Sequence, residues 1–114
     1  MRSRIAQVFL ILCVTTIGCA TGSHPENTGE ARLHVKQGGD LLGKGDVDGA
    51  ITEFRTALRL DPNHESAHEN LGLALQKLER KAEAREEFTE VLRLLPKTPA
   101  NQKKIEQMRQ RLRE

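Results

Sequence analysis

The feature that most limits what this chain can fold into is a recurrence: residues 50–62 (AITEFRTALRLDP) return as residues 84–96 (AREEFTEVLRLLP), offset by 34 positions throughout. Small, aromatic, small and proline recur in step as Ala50/Ala84, Phe54/Phe88, Ala57/Val91 and Pro62/Pro96. A fixed period of this size marks a helix-turn-helix repeat array, in which each unit buries its apolar face only against its neighbours. The expected fold is therefore all-α, and the expected action of such an array is binding.

Composition supports that class. Of 114 residues 30% are charged and the only aromatics are three phenylalanines, so burial has to come from Leu, Ala, Val and Ile on helix faces. The formal charge of +2 equals the contribution of Arg2 and Arg4 alone, which leaves the rest of the chain near neutral and gives no support to nucleic-acid binding. That neutrality hides an asymmetry. From Lys97 to Glu114 six Lys/Arg face two Glu, while from Cys19 to Pro96 ten Lys/Arg face fourteen Asp/Glu. A basic tail follows acidic repeats. The simplest account of such a face is solvation, with anionic lipid or an acidic partner as the functional alternative.

The first residues read as an export signal spanning 1–18. Arg2 and Arg4 precede the apolar run Ile5–Val14, which is short for a permanent membrane span, and small residues follow at Gly18, Cys19 and Ala20. The segment Thr16-Ile17-Gly18-Cys19 resembles a bacterial lipobox, although leucine is usual where Thr16 stands. The resemblance implies lipidation at Cys19, an anchor in an envelope membrane, and, with Ala20 rather than Asp after the cysteine, an outer membrane facing the periplasm. Cleavage after Ala20 and an uncleaved anchor stand as alternatives. Beyond Cys19 the chain has no thiol, so a mature monomer has no structural disulfide. Residues 19–29 contain Gly22, Ser23, Pro25, Asn27, Thr28 and Gly29, and read as a flexible tether.

The helical period is expected from about Glu30, capped by Asn27 or Thr28, with the folded domain spanning 30–113. Leu33, Gln37, Leu41 and Leu42 share one face until Gly43-Lys44-Gly45; Gly45 fits a left-handed helix stop and Asp46 a cap for the next helix. Ala50 and Gly72 are small where helices cross, and Pro62 ends the second helix. These blocks resemble tetratricopeptide repeats at 31–64 and 65–98. The residues that carry the resemblance are Gly38, Leu41, Gly45, Asp46, Ala50, Phe54, Ala57, Leu60, Asp61 and Pro62 in the first, and Leu71, Gly72, Ala84, Phe88 and Pro96 in the second. His34 and His68 stand in place of a tryptophan, Gln37 in place of a leucine and Glu79 in place of a glycine. Thr98 and Pro99 are placed to start a capping helix over 98–113, with Ile105, Met108 and Leu112 on its inner stripe. The result is a short α-solenoid of two repeats and a cap.

The resemblance implies a groove lined by the first helix of each repeat, at Arg32, Val35, Gly39, Leu42 and Gly43, then Ser66, Glu69, Leu73, Gln76 and Lys77. Only Asn70 and Lys104 occupy places like those of a carboxylate clamp, so the apolar strip of Val35, Leu42 and Leu73 favours a helix or extended peptide of a protein partner. The string His64-Glu65-Ser66-Ala67-His68 reads H-E-x-x-H, as in zinc proteases. Because His64 falls at a helix start and no suitable third ligand follows, the string reads as accidental, and no metal or other cofactor is expected. Gly38-Gly39 lies in helical phase rather than in a phosphate loop, and no nucleophile triad is present. The sequence thus points to a lipid-anchored adaptor in an envelope assembly such as a pilus, secretion or cell-wall complex. A self-associating subunit is the second reading, and a metal-dependent hydrolase a remote one.

Overall fold

A computed structural model describes residues 25–114. It contains five helices and, among the described residues, no strand: α1 (Pro25–Gly43), α2 (Val47–Leu60), α3 (Glu65–Lys77), α4 (Lys81–Leu94) and α5 (Gln102–Arg113). The expected export signal, Cys19 and residues 20–24 of the expected tether lie outside the described residues.

Helix α1 begins earlier than the expected Glu30, so 25–29 belong to the helix and not to a tether, and Asn27 and Thr28 lie inside it rather than capping it. Proline is well suited to this start: its fixed φ is already helical, and its missing N–H falls where no intrahelical acceptor exists. The helix ends where expected. Gly45 takes φ 88°, Asp46 N–H donates to the Leu41 carbonyl at 2.9 Å and Gly45 N–H to the Leu42 carbonyl at 3.1 Å. This pair of reversed bonds satisfies carbonyls that the last turn leaves free. The Asp46 carboxylate then accepts from Gly49 N–H at 2.9 Å and caps α2.

The second hairpin repeats that turn with other residues. Arg80 N–H donates to the Leu75 carbonyl and Glu79 N–H to the Gln76 carbonyl, both at 2.9 Å, and Glu79 adopts φ 57°. The backbone demands a left-handed residue here whether or not the sequence supplies glycine, so Glu79 carries the steric cost that Gly45 avoids. Arg80 offers α4 no side-chain cap; its guanidinium instead holds Glu83 through two bonds of 2.7 Å.

The core forms where each helix pair crosses. Phe54 and Phe88 are fully buried, as are Ala50 and Ala57, and Ala84 is nearly so. Each ring lies directly against a glycine of the preceding helix: a methyl group on Gly38 would stand 2.5 Å from a Phe54 ring carbon, and one on Gly72 2.6 Å from the matching carbon of Phe88. Glycine is required at both places so that the ring can touch backbone. Between the two repeats Ala31, Ala57 and Ala67 pack together, all buried, with Leu60 beside them.

The ends of the array explain residues that depart from the repeat pattern. Leu71 and Ala74 of α3 are buried in the core; the residues 34 positions earlier, Gln37 and Asp40, are exposed. Helix α5 occupies the place of a third first-helix, burying Ile105 and Met108 where α3 buries Leu71 and Ala74. It places Glu106 and Arg109, both exposed, where α3 has the buried Gly72 and Leu75 that meet the second helix of a pair. Polarity therefore enters on the faces that have no neighbouring helix to cover them. The start of α5 differs from expectation. A short 3₁₀ turn at Pro99–Asn101 precedes it, the Thr98 hydroxyl makes no capping bond, and the Asn101 side-chain amide donates to the Pro96 carbonyl at 3.0 Å instead.

Candidate partner-binding face

Helices α1, α3 and α5 present the face on which the sequence places a groove. Arg32, Gly39, Gly43, Ser66 and Lys77 are exposed on it. Nothing lies within 4 Å of a methyl group built on Gly39 or Gly43, so these two glycines, unlike Gly38, leave open space. Val35, Leu42 and Leu73 are half-buried and pack against the core, so they are the edge of the core showing through the groove floor rather than a free apolar strip. Asn70 is half-buried.

The α3 end of the face is already engaged by α5. The Lys104 ammonium reaches both Glu65 and Glu69, with Glu69 at 2.8 Å. Burial disfavours its charge, but hydrogen bonds to the two carboxylates outweigh that and raise its pKa above the ordinary lysine value. Arg111 donates to the Gln76 side-chain oxygen at 3.3 Å. Glu69 and Gln76, expected as groove residues open to a partner, are thus tied to α5, and Lys104 is neutralised where a clamp would require a free cation. The sequence gives no sign of this, since 35 or more residues separate these partners.

The two histidines and the glutamate of the H-E-x-x-H string each have structural work. His64 precedes α3 and its Nδ1 accepts from Ala67 N–H at 3.3 Å, which makes it the helix cap. Glu65 pairs with Lys104. His68 places Nδ1 2.6 Å from a Glu87 carboxylate oxygen and Nε2 2.8 Å from the Pro62 carbonyl. Two acceptors require two donors, so the ring is satisfied as the imidazolium. Burial works against that charge, but Glu87, the Pro62 carbonyl and the field of Glu90 prevail and raise the pKa above 6.5. Among the described residues no three His, Cys, Asp or Glu side chains are grouped to hold a metal ion.

His34 makes the same contact in the first repeat, with Nδ1 2.6 Å from Glu53. Each histidine therefore fastens the first helix of its repeat to the second, across a spacing of 19 residues. The repeat pattern places both histidines where a tryptophan is usual and gives no place to their glutamates. A signal was present, because Glu53 and Glu87 are themselves 34 residues apart and each precedes its phenylalanine.

Comparison with known proteins follows the same frame. A family described as TPR repeat matches residues 40–79, and one described as tetratricopeptide repeat matches residues 65–98. An uncharacterized protein of Methanocaldococcus jannaschii is 41% identical over 63 residues, which cover 55% of this chain and 73% of that protein.

Proposed function

Because this chain belongs to the tetratricopeptide-repeat family, we propose that it is a protein-binding adaptor that holds a partner segment on the α1 side of its first-helix face while Cys19 anchors it to an envelope membrane. Its mechanism is binding, without a reaction of its own. The observation that carries this reading is the open space over Gly39 and Gly43, flanked by exposed Arg32 and by Val35 and Leu42 in the floor. Close backbone approach is what an extended or helical segment gains from glycines in a receiving helix. Anchoring rests on the order of Arg2, Arg4, the apolar run and Gly18-Cys19; two or more acyl chains on one residue hold a protein stably at a membrane where one is marginal. No helix among the described residues is long and apolar enough to cross a membrane.

The test of binding uses Gly39→Gln and Gly43→Gln, which fill the groove from exposed helical positions without touching the core. Affinity capture from membrane extract with the full chain is expected to retain a partner that both variants lose, at unchanged or higher melting temperature. Equal capture by wild type and variants would refute the groove assignment. Anchoring is tested separately by intact mass of the membrane fraction: an acylated chain starting at Cys19 is expected, and a soluble product starting at Thr21 would refute it.

A further inference from the structure

The two seams of the array can be compared with each other. In the first, between α2 and α3, Ile51 is buried and Val47 packs against the core. The residues 34 positions later are Arg85 and Lys81, both exposed, on the seam between α4 and α5. The closed apolar seam of one interface is thus an open cationic one at the next. A cleft of about 240 Å³ lies there, lined by Gln76, Lys81, Ala84, Arg85, Phe88 and Arg111, with Glu114 the one acidic residue among those lining it.

Among the described residues, the cations of this cleft have no carboxylate partner. Arg80, just before α4, and Arg93, Lys104 and Arg109 on α4 and α5 each pair with a carboxylate. Among the described residues Lys81, Arg85 and Arg111 have none within ion-pair distance. Arg111 is also held in place, its guanidinium 5.7 Å above the Phe88 ring centre and one nitrogen bonded to Gln76. A guanidinium fixed by an aromatic face and an amide loses little freedom on accepting a carboxylate, and two guanidinia offer forked geometry that a carboxylate matches with both oxygens.

We propose that the α4–α5 cleft is a docking site for an acidic segment of a protein partner, whose carboxylates pair with Lys81, Arg85 and Arg111. This site is separate from the groove over Gly39 and Gly43. The purified full chain is titrated into a labelled Glu-rich peptide and into its counterpart with Gln for every Glu, and anisotropy is followed between about 50 and about 300 mM salt, the range over which exposed charges become screened. The Glu-rich peptide is expected to bind and to weaken with salt, and the Gln counterpart not to bind. The double variant Lys81→Glu/Arg85→Glu should lose at least about tenfold in affinity, and Arg111→Met, which keeps an apolar side chain over Phe88, several-fold. A control of equal charge change at exposed cations distant in the chain, Lys36→Glu/Lys44→Glu, should lose less than about twofold. Gly39→Gln should leave this binding unchanged, so failure of the cleft and failure of the groove are distinguishable. Equal loss in the two double variants would reduce the effect to net charge and overturn the proposal. So would absence of binding at low salt, or displacement of the peptide by inorganic phosphate at matched ionic strength, which would make the cleft a small-anion site.

Discussion

Two adjacent glycines of α1 should respond to the same substitution with opposite signs. Alanine is better than glycine inside a helix by roughly 0.5–1 kcal/mol, so both Gly38→Ala and Gly39→Ala begin with that gain. At Gly39 nothing opposes it, since the added methyl group meets open space, and the melting temperature should rise by about 2–8 °C at the sensitivity of a domain this size. At Gly38 the methyl group would lie 2.5–3.0 Å from three atoms of the Phe54 ring, well inside van der Waals contact. Phe54 is fully buried, so its ring has nowhere to turn. Overpacking of a tight core typically costs about 1–3 kcal/mol, and contact this close belongs at the upper end. The net effect is a loss of about 1–2 kcal/mol, or some 4–16 °C in the opposite direction. Thermal unfolding of the two variants by circular dichroism decides the matter. The double variant Gly38→Ala/Phe54→Leu should recover part of the loss relative to Phe54→Leu alone, because the clash is with the ring. Melting shifts of the same sign and size at both glycines would refute the packing account.

Truncating the fully buried ring in Phe88→Ala should cost about 3–5 kcal/mol, which approaches the whole stability of a small domain; a native circular dichroism spectrum and an unchanged melt would remove Phe88 from the core. Glu79→Gly should stabilise by about 1 kcal/mol by relieving the left-handed turn, and a destabilised variant would show that the side chain matters more than the backbone there. For His68 the folded pKa lies above the unfolded value of about 6.5, so its stabilisation is complete below that pH and is lost as pH rises through the folded value. The melting temperature should therefore fall from slightly acid to slightly alkaline pH, with a flatter profile in His68→Gln; identical slopes would show that the pair with Glu87 is not the titrating contact.

The period, the all-helical class, the turn at Gly45 and Asp46, and the small and aromatic positions of the second helices are legible in the residue order. These are local or periodic properties: a helix stop needs one left-handed residue, and a buried stripe needs only spacing. Tertiary structure decided whatever depends on which helix lies opposite. The repeat pattern separates Gly38 from the groove position Gly39, but that Gly38 lies against the Phe54 ring while Gly39 meets open space shows only at the crossing, since a helix turns about 100° per residue. The same reason hid the glutamates of His34 and His68 and the hold of α5 on Glu65, Glu69 and Gln76, whose partners are adjacent in space and far apart in the chain. Gln37 reads as a flaw in the repeat until the fold places it on the uncovered side of α1, where leucine would face water. Glu79 is the reverse case: the turn keeps its left-handed geometry without the glycine that would announce it, since the two reversed hydrogen bonds after α3 fix the backbone more strongly than one residue's preference opposes it.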